Sequence, residues 1–220
     1  MNDVAMEARA RQSLGASDDA IYAAVAKALA QRGVRGRVID VGCGLGRLRD
    51  FLGSAMESYV GVDAIRYDGL PEGIAFMRAD LNRDAIPVPD RSADVAVSVE
   101  TIEHLENPRA FVRELVRITR PGGWIVVTTP NQRSLVSLGA LIVKGHFSAF
   151  GPANYPAHQT ALLDTDLCRI ATENHLTNVA VEFTGVGRLP LSSVRYPQAL
   201  SSVFRRTMSD NVLLVARARA

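Results

Sequence analysis

In the stretch SVETIEHLENP, residues 98–108, two carboxylates and an imidazole stand close together: Glu100, Glu103 and His104. If a helix begins here, their i, i+3, i+4 spacing puts all three on one face. An imidazole titrating near neutrality, with Glu103 beside it, is suited to taking a proton from a hydroxyl, which makes His104 and Glu103 the candidate catalytic pair. A plainer reading stays open, in which one acid caps the next helix and His104 pairs with a neighbouring carboxylate. His146 follows Lys144-Gly145 and His175 falls at a helix end, so exposure and the helix dipole account for them without chemistry.

A second group of residues suggests a ligand. In VIDVGCGLGRL, residues 38–48, Gly42, Gly44 and Gly46 alternate through a turn between an apolar run and a helical pattern. Such glycines let backbone turn tightly and approach a ligand, although a ligand-free turn would look the same. Asp63 shifts the balance: it lies 21 residues after Gly42 at the end of the next apolar run, where a carboxylate can accept both hydroxyls of a ribose. Asp40, just ahead of the glycines, would repel a pyrophosphate but favour an ammonium or sulfonium. The pattern therefore points to a cationic nucleoside rather than a dinucleotide.

These residues need elements to hold them. Asp18 and Asp19 precede IYAAVAKALAQRG, which has the spacing of a capped amphipathic helix. Seven short runs bounded by Gly, Asp or Pro read as strands: RVIDV, SYVGVD, GIAFMRA, ADVAVSV, GWIVVTT, NVAVEFTG and NVLLVARA. Helical patterns lie between them, including GRLRDFLGSAM, LLDTDLCRIATENH, and PRAFVRELVRITR with PGG as its expected cap. The alternation predicts an α/β fold: a doubly wound, mostly parallel sheet with helices on both faces, closed by NVLLVARA as an antiparallel edge strand.

Composition bounds the partners. With 220 residues, 47% of them apolar, one domain over 1–220 is expected. The net charge of +2, from 25 basic and 23 acidic side chains, shows no block that would mark a nucleic-acid surface, so a small-molecule partner is expected. Cys43 and Cys168 have neither metal-site spacing nor a paired framework, and the N-terminal residues lack a secretory pattern; both suggest the cytoplasm. The longest apolar run, LVSLGALIV at 135–143, is too short to span a bilayer.

VIDVGCGLGRL, GVDA and RADLNRDAIPVPDRSADVAVSVETIEHLENPRAFVRELVRITRPGGWIVVTTPN together resemble the class I S-adenosylmethionine-dependent methyltransferases over about residues 36–131. The resemblance implies a Rossmann-like seven-stranded sheet with S-adenosylmethionine as cofactor. It places the methionine portion on the loop Asp40–Gly46, including Gly42, Cys43 and Gly44. It places the ribose at Asp63 with Ala64, the adenine between Asp80 and Leu81, and the amino-acid end at the backbone of Val99 and Glu100. Ala93 departs from the pattern, which usually has an aromatic before the fourth strand. More narrowly, ExxEH with a later histidine resembles the metal-binding arrangement of small-RNA 2'-O-methyltransferases and the related layout of ubiquinone-pathway O-methyltransferases. That implies Glu100, Glu103, His104 and His158 as ligands of a divalent ion such as Mg, Mn or Zn.

The expected reaction is methyl transfer to a hydroxyl of a small molecule or of a sugar or lipid-linked intermediate. The alternatives are a metal-dependent RNA 2'-O-methyltransferase and a non-catalytic S-adenosylmethionine-binding regulatory subunit. The acceptor would be chosen by residues 132–160 and 185–208. In the first, LVSLGALIV between Arg133 and Lys144 can be a lid or a peripheral membrane contact, although such a stripe ordinarily packs its apolar face on the domain. The second combines Arg188, Arg195, Arg205 and Arg206 with Tyr196 and Phe204, either gripping a phosphate or sugar or forming a solvated loop.

Overall fold

The computed structural model describes residues 7, 10–12, 15–189, 192 and 194–220. Its strands are β1 (Gly36–Val41), β2 (Met56–Asp63), β3 (Ala75–Arg78), β4 (Ala93–Ser98), β5 (Thr119–Pro130), β6 (Thr177–Phe183) and β7 (Asn211–Arg217). They form one sheet in the order β3-β2-β1-β4-β5-β7-β6. β1 to β5 pair in parallel, and β7 runs antiparallel to both β5 and β6.

Among the described residues, the helices that accompany the sheet include α1 (Asp19–Gln31), α2 (Leu48–Leu52), α3 (Pro108–Ile118), α4 (Leu135–Lys144), α5 (Asp164–Glu173) and α6 (Gln198–Val203). Strand side chains alternate between faces, so one set of helices cannot cover them all. Ile39, Val41, Ile125, Val127 and Leu214 meet α3 and α5 through Phe111, Leu115, Leu167 and Ile170. On the other face Val38, Val95, Val97, Val126 and Leu213 meet α1 through Ile21, Val25 and Leu29. Asp18 caps α1 by accepting from the Ala20 N–H at 2.9 Å.

Three local expectations are corrected. β7 is an interior strand and β6 is the edge. Val212 to Ala216 are all buried, as in a strand covered on both faces, whereas β6 is exposed or half-buried throughout. The cap of α3 is Thr119 rather than PGG: its hydroxyl donates to the Leu115 carbonyl at 2.6 Å, and β5 begins there. α2 is shorter than its sequence pattern, five residues followed by a single 3-10 turn at Gly53–Ala55.

α4 departs furthest. Its apolar face does not pack on the domain, because Ser137 is its only buried residue while Leu135, Leu138, Leu141, Ile142 and Val143 are exposed. Polar contacts fix its inner side: Ser134 caps the helix by accepting from the Ser137 N–H at 3.1 Å, and the Ser137 hydroxyl donates to Gln132 at 3.2 Å. Among the described residues no helix is long and apolar enough to cross a membrane.

Candidate functional site

Strand order reverses between β1 and β4, and open α/β sheets bind ligands in the crevice beyond the carboxyl ends of such a pair. The glycine loop leaves β1 at this point. Gly42 and Gly44 have φ of +80° and +51°, which favour glycine. A Cβ on Gly42 would lie 2.1 Å from the Thr101 hydroxyl, and one on Gly44 would lie 2.1 Å from the Gly15 carbonyl oxygen. That carbonyl accepts the Leu45 N–H at 2.8 Å, so the segment before α1 crosses directly over the loop. Gly46 lies outside the cavity lining, and a Cβ there would meet the side chains of Ile74 and Leu70.

A cavity of about 310 Å³, within the usual range for small-molecule sites, opens at the crevice. Asp40, Gly42, Cys43 and Gly44 line it from the loop, and Asp63 and Ala64 from the end of β2. Asp80 and Leu81 line it from beyond β3, and Val99 and Glu100 from beyond β4. Asp40 is 2% exposed. The Tyr59 hydroxyl donates to its Oδ2, while Oδ1 is buried with no hydrogen-bond partner. Burial pushes the Asp40 carboxyl up to about 7, against the Tyr59 hydrogen bond and with a further push from the Asp63 charge. Asp63 ties loop to strand: Oδ2 accepts from the Gly44 N–H at 2.8 Å and Oδ1 from the Ala64 N–H at 2.6 Å. Each oxygen keeps a second lone pair for a ligand. The Cys43 thiol is pushed up chiefly by burial, which leaves it protonated and not a nucleophile.

The same cavity continues to the acidic and histidine cluster. The expected shared helical face does not form. Ile102–His104 is a single 3-10 turn, and Glu100 precedes it at φ +49°. Both Glu100 oxygens are engaged, accepting from the Thr128 hydroxyl at 2.8 Å and from the Asn211 amide at 2.6 Å. Glu103 is fully buried; Oε2 accepts from the Thr129 hydroxyl at 3.2 Å and Oε1 has no partner. Burial, then the Glu100 charge, holds the Glu103 carboxyl well above its ordinary range.

The two histidines come together from distant positions. His104 Nδ1 lies 2.9 Å from the Ala157 carbonyl and His158 Nδ1 lies 2.6 Å from the Ala149 carbonyl. A carbonyl can only accept, so both Nδ1 atoms carry protons and Nε2 is the lone-pair nitrogen of each neutral ring. The rings meet edge to face with centroids 4.7 Å apart. Burial lowers the His158 pKa, which favours its neutral form. One ligand atom each of Glu103, His104 and His158 lies within 4.8 Å of the others; Glu100 is not in this group.

His146 instead bonds the Phe147 carbonyl, and His175 takes a positive φ just after α5. Most of the arginines of the second insertion are held by acids: Arg188 by Asp210, Arg195 by Asp18 and Arg206 by Asp164. Sequence reasoning missed the cavity wall formed by Gly15 to Asp18, Tyr22, Tyr67 and Thr101. No local pattern marks these residues, because several reach the site through chain crossings: the Gly15 carbonyl accepts from the Leu45 N–H at 2.8 Å and Tyr67 donates to the Ala10 carbonyl at 2.5 Å.

A doubly wound sheet with a glycine loop, a buried carboxylate and a second acid at the switch point defines a nucleoside-binding α/β protein. Residues 13–181 match the family model described as a methyltransferase domain, and the chain belongs to that family, among the class I S-adenosylmethionine-dependent enzymes. It is 35% identical, over 47% of its length and 42% of the relative's, to a Mycolicibacterium smegmatis protein named "Probable S-adenosylmethionine-dependent methyltransferase". It is 25% identical, over 71% of its length and 68% of the relative's, to the ubiquinone biosynthesis O-methyltransferase of Aeromonas salmonicida. The match thus spans well under half of the first relative. A Thermotoga maritima SAM-dependent methyltransferase has the same fold, with a TM-score of 0.64 at 18% identity over 90% of this chain and 88% of the other. The site fits such a cofactor: the unpartnered Asp40 oxygen suits a cationic group, and the glycine positions exclude side chains where a nucleoside would approach.

Proposed function

We propose that this chain transfers a methyl group from S-adenosylmethionine to a hydroxyl of a small molecule or of a sugar or lipid-linked intermediate. One observation carries the reading: one cavity is lined by Asp40 and Asp63 and also by His104 and His158, so donor and acceptor ends share one open crevice. Asp40 faces the cationic end, with the backbone of Gly42, Cys43 and Gly44, Val99 and Glu100 around the methionine portion. Asp63 and Ala64 take the ribose, and Asp80 and Leu81 border the adenine. When bound, S-adenosylmethionine supplies a methyl group activated by its sulfonium charge. The protein then aligns the acceptor and receives its proton. His104 Nε2 is the proton acceptor, and the buried Glu103 carboxyl sits beside it at the acceptor end. The O-methyltransferase name of the Aeromonas relative supports a hydroxyl acceptor.

A second reading has its own observation. Two imidazoles with Nδ1 fixed on backbone carbonyls, plus an unpartnered carboxylate oxygen, form a ligand set suited to a divalent ion such as Mg, Mn or Zn. Glu103, His104 and His158 would hold it, with Glu100 behind them as a neighbouring charge. The ion would hold a hydroxyl and lower its pKa.

A labelled-methyl assay against phenol, glycan, lipid and RNA pools, with chelator or added metal, separates the readings. Label in a hydroxyl-bearing small-molecule or lipid pool supports the first. Activity lost to chelator and restored by metal adds the second, whereas full activity with chelator removes it. Label in RNA alone would make this an RNA methyltransferase, and cofactor binding without turnover in any pool would make it a regulatory binder.

A further inference from the structure

We propose that the outward face of α4, with the neighbouring turn at Phe204 and Arg205, docks the protein on an anionic lipid bilayer. A helix of a soluble domain normally turns its apolar stripe to the core. Here the stripe is inverted: Ser137 faces in, while Ile142 and Val143 are 84% and 81% exposed and three leucines stand on the outside with them. Ser134 and Ser137 fix the first turn of the helix, and the bonds of Asn131 and Leu135 to residues 206–209 tie that turn to the domain. A contiguous apolar surface of this kind marks an interaction site. Phe204 and Val203 add exposed apolar groups from α6 and its end. The two segments are joined at the start of α4, where the Leu135 N–H donates to the Thr207 carbonyl at 2.9 Å and the Asn131 amide to the Arg206 carbonyl at 2.7 Å.

Charge selects the occupant. Residues 115–163 and 183–209 contain no Asp or Glu. Arg133 and Arg206 converge on Asp164, but among the described residues Lys144 and Arg205 form no ion pair. The apolar stripe is therefore flanked by unneutralised cations. A second copy meeting this face through a two-fold axis would bring cation-flanked surfaces together without an acid from either segment between them. An anionic bilayer satisfies both features, since apolar side chains enter the acyl boundary while Lys and Arg stay among the headgroups. At ten residues, about 15 Å, α4 can lie in that boundary but not cross it. The chain leaving α4 packs against His158, which lines the cavity: the Phe150 and His158 ring centroids lie 5.5 Å apart, and the Ala149 carbonyl accepts from the His158 ring.

The docking surface does not depend on the methyl-transfer reading, because vesicle binding is measured without cofactor or acceptor. The full chain should co-sediment with phosphatidylglycerol-containing vesicles, less with pure phosphatidylcholine, and less as salt rises. Ile142→Asp with Val143→Asp should weaken binding at least tenfold, and Lys144→Glu or Arg205→Glu at least fivefold each. These variants should keep wild-type S-adenosylhomocysteine affinity, which shows that they fold. Absence of sedimentation with anionic vesicles, or wild-type sedimentation of the double variant, would overturn the proposal. A dimer in analytical ultracentrifugation that Ile142→Asp dissociates would also overturn it and give the face to a second copy.

Discussion

At the scale of single residues, Asp40 offers the sharpest test. It is a buried carboxylate with one oxygen held by Tyr59 and one without a partner, and its pKa is pushed up to about 7. A protonated Asp40 attracts a cation less, so S-adenosylmethionine affinity should rise between pH 6 and 7.5, as measured by calorimetry. The sign for stability is opposite. A carboxylate raised above its unfolded value contributes stability that is present below about pH 4 and lost as pH rises through about 7. Glu100 and Glu103 act in the same direction. The ligand-free melting temperature should therefore fall from pH 5 to pH 8 through these groups, while the increment from S-adenosylmethionine grows. Tyr59→Phe removes a charge-assisted hydrogen bond of roughly 1.5–3 kcal/mol. It should move the affinity profile upward by one to two pH units, and an unmoved profile would mean that Tyr59 does not govern Asp40.

At the scale of elements, the placement of β7 and the crossing over the glycine loop make separate predictions. Leu214 is fully buried in an interior strand, so Leu214→Ala should cost about 2–5 kcal/mol in denaturant unfolding. Val179→Ala on the exposed edge strand should cost well under 1 kcal/mol, because that side chain is 38% exposed. Equal losses would contradict the strand order. Gly44→Ala combines a left-handed backbone, worth roughly 1–2 kcal/mol, with a clash against the Gly15 carbonyl, which cannot move as a side-chain tip can. It should reduce S-adenosylhomocysteine affinity at least tenfold and lower the melting temperature, both measurable in one thermal-shift titration.

For the whole molecule, the single cavity predicts that ligand binding and turnover can be separated. A ligand at a hundredfold excess over Kd stabilises the native state by about 2.7 kcal/mol. For a chain of this size that is roughly 5–10 °C in melting temperature. His104→Gln should keep this increment with S-adenosylhomocysteine, because the proposed reading puts the residue at the acceptor end, yet lose at least a hundredfold in kcat. Loss of the increment would place His104 in ligand binding instead. The pattern Asp40-to-Gly46 with Asp63 was legible because its parts are local: the loop is one turn, and Asp63 ends the next parallel strand. The pairing of His104 with His158 was legible only through the family resemblance, since 54 residues of chain must close between them.

The sequence alone determined the alternation of elements, both faces of the sheet and the position of the glycine loop, because periodicity and turn chemistry act over a few residues. Three features needed the tertiary structure. Glu100 left the face expected to be shared with Glu103 and His104 because a 3-10 turn and a positive φ send its carboxylate to Thr128 and Asn211. Gly44 must be glycine partly because Gly15 crosses above it, a contact with no local trace. α4 turned its leucines outward because its start is tied to the distant 206–209 segment: the Asn131 amide donates to the Arg206 and Ser209 carbonyls and the Leu135 N–H to the Thr207 carbonyl. Periodicity gives an apolar face its width but not its direction; here the direction comes from backbone and Asn131 contacts to a segment more than 70 residues away.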